Sequence, residues 1–235
     1  KQLRNFSINL AYGPFDRTKK LKEMLEEFNH STLEVLELPV DSDRFDFKSI
    51  SGLSSLKHLV VNFWKSKQIC SKTGSVMVKN LKISNQLSFP LLSLKILDLS
   101  RNKLSSDINQ KRVFANLPNL EELYLDNCKL AHICKILYEP LDREFLFGLE
   151  NLKILGLAWN ELDNLNPDMF VFTPNLEKLN LSSNKFVKFD ENFFSHLKHL
   201  NVLDLSENRS YDKNAFCFLK CLDNLKILDL SVMRL

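Results

Sequence analysis

Cys217 and Cys221 stand four residues apart, and His196 and His199 three apart. On a helix, either spacing brings two metal-ligating side chains to one face. A structural zinc site takes four such ligands, and a catalytic one takes three with an open position. Neither pair has the rest of its set. No second cysteine pair accompanies the first, and no carboxylate or thiol follows the histidines at ligand spacing. Both pairs therefore read as structural. "KTGS" (Lys72–Ser75) is the nearest approach to a phosphate-binding loop, and it lacks that loop's first glycine and its strand–loop–helix setting. There is no G-x-S-x-G elbow and no H-E-x-x-H helix. The expectation is a protein that is not an enzyme and holds neither metal nor cofactor.

The remaining chemistry is that of binding. One candidate set is acidic and aromatic: Asp98, Glu122, Tyr124, Asp126 and Trp159. A second is basic: the stretch "KSKQICSKTGSVMVK" carries Lys65, Lys67, Lys72 and Lys79 and no acid. The whole chain has 235 residues and a net charge of +3, too small by itself to imply nucleic acid. No apolar run approaches the ~18 residues that cross a bilayer. The opening "KQLRNFSINLAYG" is not a signal peptide. Any anchor is expected outside this stretch.

What must position these residues is a repeat. "LKILDLS" occurs twice, at Leu94–Ser100 and at Leu225–Ser231. The pattern L-x-x-L-x-L-x-x-N begins at Leu94, Leu152, Leu176 and Leu200, reaching Asn102, Asn160, Asn184 and Asn208, and at Leu120, where Cys128 replaces the Asn. Weaker units start at Leu3, Leu33 and Leu56, and the unit at Leu225 ends on Met233. From Leu152 to Leu176 to Leu200 to Leu225 the steps are 24, 24 and 25 residues. Each "LxLxx" has the alternation of a short strand, with its leucines on one face. The Asn amide both donates and accepts, so it suits a turn in contact with the backbone of adjacent coils. One unit cannot bury its leucines alone, whereas stacked units do it together. Phe170, Phe186, Phe189 and Phe194 then form a spine of rings on the outer, convex side.

These motifs resemble the leucine-rich repeat over essentially the whole chain. The ~24-residue unit with its Phe spine is similar to the repeat of Toll-like receptor ectodomains. The resemblance implies an α/β solenoid, a horseshoe with a parallel β-sheet on its concave face and short helices or irregular segments on the convex side. Residues 1–235 are expected to be a single solenoid of nine or ten repeats, without visible caps, as an internal fragment of a longer array. A degenerate unit is placed around Val78–Ser84. "FDRTKKLKEMLEEFNHS" spaces Leu21, Met24, Leu25 and Phe28 as an amphipathic helix, and "AHICKILYEPL" (Ala131–Leu141) reads as a short convex helix stopped before Pro140.

On this template the outward strand positions carry seven acids (Glu37, Asp98, Glu122, Asp126, Asp204, Glu207, Asp229) against two bases (Arg101, Lys178). Such a face repels phosphates, so nucleic acid is not expected there. A protein with a basic patch suits it better. Tyr124 and Trp159 are the candidate anchors, since aromatics are favoured at interfaces. The Lys65–Phe89 segment breaks the repeat and is the other candidate surface, because long insertions in solenoids often carry binding loops. Toll-like receptors use such lateral loops and dimerise on ligand, which is what the resemblance implies here.

Four N-x-S/T sequons, at Asn5, Asn29, Asn180 and Asn208, favour a secreted or lumenal location. Asn208 occupies the repeat's Asn position and is expected to be buried and bare, leaving Asn5, Asn29 and Asn180 as glycan acceptors. The five cysteines (Cys70, Cys128, Cys134, Cys217, Cys221) leave one unpaired or paired elsewhere. The functional expectation is the extracellular or endosomal-lumen side of a Toll-like-receptor-type innate immune receptor, taking a microbial or endogenous ligand and forming a homo- or heterodimer. The alternative is another extracellular leucine-rich-repeat protein, in adhesion, in matrix or as a soluble decoy.

Overall fold

Strand segments three to five residues long follow each other at coil-length intervals, too far apart for hairpins, so the chain pairs them in parallel. The computed structural model describes residues 4–7, 32–39, 50, 52–62, 91–102, 104, 108, 112–131, 134, 140–209 and 216–233. Its strands are β1 (Asn5–Ser7), β2 (Val35–Pro39), β3 (His58–Asn62), β4 (Ile96–Asp98), β5 (Glu122–Tyr124), β6 (Ile154–Gly156), β7 (Lys178–Asn180), β8 (Val202–Asp204) and β9 (Ile227–Asp229). They form one parallel sheet in sequence order. The register is constant: Leu97, Leu123, Leu155, Leu179, Leu203 and Leu228 sit opposite one another as central residues. A one-residue slip would turn every central leucine outward, so the buried leucine row fixes this pairing.

Each expected unit, from the faint one at Leu3 to the last at Leu225, supplies one strand in the expected register. The degenerate unit does not. His58 of β3 pairs directly with Ile96 of β4, so no strand from Val78–Ser84 stands between them. The 38 residues from Leu56 to Leu94 thus contribute one coil to the sheet. The amphipathic segment Asp16–Ser31, Cys70 and the Lys65–Phe89 insertion lie outside the described residues.

The core is a leucine column beneath the sheet and a phenylalanine column on the convex side. Phe114, Phe145, Phe170, Phe194 and Phe218 are fully buried. Phe194 meets Phe218 edge-to-face at 5.3 Å, and Phe189 meets Phe218 at 5.5 Å. That geometry sets a positive ring edge against a negative face. The convex side holds two short 3-10 helices, Pro167–Phe172 and Cys217–Cys221. Asn166 starts the first by accepting from the Asp168 N–H at 3.0 Å, with Pro167 at a position that needs no N–H donor. Leu130, Ala131 and Cys134 have helical backbone, in line with the short convex helix read there. The Cys217 thiol donates to Phe189 O at 3.3 Å and the Cys221 thiol to Phe218 O at 3.0 Å, so both cysteines pack against the aromatic column.

The asparagine row ties the coils together. Asn160 Nδ2 donates to Leu125 O, Leu157 O and Ala158 O, while its Oδ1 accepts from the N–H groups of Cys128 and Leu130. Asn184 repeats the arrangement one coil on. Asn208 is buried in the same role. Cys128 keeps only the donor half, its thiol reaching Leu99 O at 3.1 Å, and burial pushes that thiol far above its usual range.

Candidate ligand-binding face

The third residue of each strand points to the concave side, and in most coils it closes the turn that follows. Asp98, Asn180, Asp204 and Asp229 each accept, through Oδ1, the N–H of the serine two residues on, at 2.8–2.9 Å. This local bond is why the repeat reads D-L-S or N-L-S. Two adjacent coils break the rule. β5 has Tyr124 at the position, and β6 has Gly156.

Gly156 has no acceptor for the N–H of Ala158. Asp126, two residues beyond Tyr124 on the preceding coil, supplies it: its Oδ1 takes the Ala158 N–H at 2.7 Å. A Cβ on Gly156 would lie 2.8 Å from that carboxylate, so the absent side chain is what makes room for it. Burial raises the Asp126 pKa, the Ala158 N–H pulls it back, and the charge of Asp98 adds to the rise. Tyr124 donates its hydroxyl to Glu122 Oε2 at 2.6 Å. Burial, that bond and the charges of Glu122, Asp98 and Asp126 hold its phenol well above the usual range. Tyr124 is therefore a neutral, half-buried ring whose edge is fixed by carboxylates.

Asp98, Glu122, Tyr124 and Asp126 thus come together on two neighbouring strands, as the sequence suggested. Trp159 joins them by a different route. It does not project from a strand. It sits in the turn after β6 at φ 59°, one residue past Ala158, with 58% of its surface exposed. The residue before the asparagine position is left-handed in coil after coil: Arg101, Asn127, Trp159, Ser183, Glu207 and Val232. This column forms the rim of the concave face, and Glu207 belongs to it as well. Bulky side chains are uncommon in that conformation.

Sequence reasoning listed Gly156 among outward positions and missed its role, since it is buried beneath Asp126. The signal was the simultaneous loss of the D-x-S pair in "LYLDNC" and "LGLAWN". Lys65, Lys67, Lys72 and Asn29 lie outside the described residues. Asn5 is exposed on β1 and Asn180 half-buried on β7.

Outside the concave face, charges alternate along the edge where the strands begin. Lys57 pairs with Glu34 at 3.3 Å, and Glu121 is bridged by Lys95 and by Lys153, the latter at 2.8 Å. These bonds, that of Lys153 first, hold the Glu121 carboxyl below its usual range. Among the described residues no group of three or more His, Cys, Asp or Glu is placed to hold a metal ion, and no helix is long and apolar enough to cross a membrane.

One leucine-rich-repeat family model matches residues 137–186 and 174–231, and a second matches residues 93–110. Neither describes a catalytic family. No curated protein sequence matches the chain. Among solved structures, the chain is similar to TLR13 in the TLR13–ssRNA13 complex, at 24% identity and a TM-score of 0.66, over 98% of this chain and 33% of that one. It is similar to the Drosophila Toll–Spatzle complex in its glycosylated form, at 18% identity and a TM-score of 0.63, over 91% of this chain and 25% of that one. InlP of Listeria monocytogenes gives 18% identity and a TM-score of 0.63, over 97% of this chain and 55% of that one. The chain thus spans a third or less of the TLR13 and Toll–Spatzle chains it matches.

Proposed function

We propose that this chain, a leucine-rich-repeat protein resembling Toll-like receptors, is a ligand-recognition segment of an extracellular or lumenal receptor of that type. Its concave face takes a protein ligand through a basic patch, with Trp159 and Tyr124 as anchors, and ligand brings two receptor chains together. The basic insertion with Lys65, Lys67 and Lys72 is a second surface for an acidic ligand region or the partner receptor.

One observation carries the reading. Trp159 is a large aromatic held in a left-handed turn and left 58% exposed beside the carboxylate of Asp126. Folding gains little from a tryptophan there, and a ligand gains an anchor with a cation-binding ring face. The RNA named in the TLR13 complex does not carry over to this face, where acids outnumber bases. The fold does not choose between a receptor and another extracellular leucine-rich-repeat protein, since InlP is as similar as Toll.

The test is binding of a labelled decalysine peptide, with decaglutamate and a single-stranded RNA of equal length as controls. Decalysine binding that weakens with salt and with Trp159→Gly supports the reading. RNA binding reduced by the same substitution, or no decalysine binding, overturns it. Sedimentation with and without decalysine tests pairing of chains. A transcript that continues past Leu235 into a membrane span and a signalling domain supports a receptor, and one that lacks both supports the adhesion, matrix or decoy alternative.

A further inference from the structure

We propose that Asn180 carries an N-linked glycan, which screens the later strands of the concave sheet and leaves ligands the part that bears Tyr124 and Trp159. The inference rests on the extracellular reading above. A glycan attaches to Nδ2, so the deciding question is which sequon asparagine has that nitrogen free in the folded coil.

Asn208 does not. Its buried Nδ2 donates to Leu181 O at 2.9 Å, Leu205 O at 3.0 Å and Ser206 O at 3.3 Å, and a sugar there would break the row that joins the coils. Asn180 differs. Its Oδ1 accepts from the Ser182 N–H at 2.9 Å and from the Ser182 hydroxyl at 2.7 Å. A backbone N–H can only donate, so the atom facing it is the oxygen and the nitrogen is turned away. Among the described residues that nitrogen has no partner. Replacing one of its hydrogens by a sugar leaves both bonds in place. The repeat makes the same point, because Asp98, Asp204 and Asp229 close the same turn with an oxygen alone.

Position then gives the consequence. Asn180 pairs with Gly156 on one side and Asp204 on the other, each about 4.8 Å away across the sheet. On the Gly156 side there is no Cβ to crowd the first sugar ring. A branched glycan rooted here covers Lys178, Val202 and Asp204. Asp98, Glu122 and Tyr124 lie two or more strands away on β4 and β5, and Trp159 stands on the rim. The anchors stay open while the later coils are closed to a large ligand.

The protein is taken from its own cells and digested, and its glycans are removed by an amidase in heavy-oxygen water, which marks each formerly glycosylated Asn as labelled Asp. Label at Asn180 and Asn5, and none at Asn208, is the expected result. Label at Asn5 with Asn180 bare overturns the inference and leaves the extracellular reading standing. Asn5 and Asn180 both bare overturns that reading and the inference with it. Label at Asn208 overturns the argument from the free nitrogen. The screening is tested with Asn180→Asp, which keeps the turn and removes the sequon. Hydroxyl-radical oxidation of Lys178 and Val202 is expected to rise severalfold in the variant, with Tyr124 and Trp159 unchanged. Equal oxidation at Lys178 and Val202 overturns the screening.

Discussion

Asp126 reaches across to the next coil, where its Oδ1 takes the Ala158 N–H at 2.7 Å. In the regular coils that bond is made locally, as by Asp204 to the Ser206 N–H at 2.9 Å. Asp126→Ala leaves a buried N–H unpaired and is expected to cost about 1–3 kcal/mol in chemical denaturation. Asp126→Asn keeps the acceptor and is expected to leave stability unchanged or higher at neutral pH. Its pH dependence fixes the sign. The folded pKa of Asp126 is raised, chiefly by burial. The charged form is therefore penalised in the fold above that pKa, and the penalty fades as pH falls through it. The advantage of Asn over Asp should shrink on acidification; if it grows instead, the burial argument is wrong.

Gly156→Ala tests the other half of the same pair. Its Cβ would stand 2.8 Å from the Asp126 carboxylate, so either the carboxylate leaves Ala158 or the sheet shifts. A loss of about 1–3 kcal/mol is expected. In an Asp126→Ala background most of that loss should vanish, because the clash and the bond are already gone. Additive losses in the double-mutant cycle would separate the two residues.

Asn160 and Asn184 each make five bonds to backbone groups of their own and neighbouring coils. Replacement of either by Ala strips buried N–H and C=O partners together, with an expected loss near about 3 kcal/mol each. An unchanged thermal midpoint in both variants would remove the asparagine row from the account of what joins the coils.

Much of this was legible beforehand, for a physical reason. The leucine spacing is set by a strand that buries alternate residues, and that constraint is local, so all nine strands follow from it in register. The asparagine role is local too. What stayed hidden is relational. Asp126 and Gly156 make sense only as a pair, thirty positions apart, and neither alone breaks the template. The rim column was hidden because a left-handed turn here takes Arg101, Trp159 and Glu207 alike, so no glycine marks it. Trp159 was therefore assigned to a strand. The extra unit at Val78–Ser84 failed because a passable strand pattern does not secure a place in the sheet, and β3 pairs directly with β4.

Glu121 links Lys95 and Lys153 across three coils. Its folded pKa is lowered, first by the bond from Lys153, so this contribution is present above the ordinary carboxylate range and is lost as pH falls through the folded value. The groups are largely exposed, so Glu121→Gln should cost much less than Asn160→Ala, and less still at high salt. A salt-independent effect would mean that packing of the side-chain stem matters more than its charge.

Trp159→Gly separates stability from function. Glycine takes φ near 59° without the steric penalty of a Cβ, whereas other residues there are disfavoured by about 1 kcal/mol. The exposed ring contributes little burial to offset that. The variant is therefore expected to unfold at the same or a higher denaturant concentration than the parent. Binding of a basic ligand should nonetheless fall, with Tyr124→Phe as the comparison. That change removes the hydroxyl bonded to Glu122 and keeps the ring, so it should alter affinity less. A Trp159→Gly protein that is destabilised and binds normally would place the indole in the architecture of the turn, and ligand contacts would then have to be sought on the Lys65–Phe89 insertion.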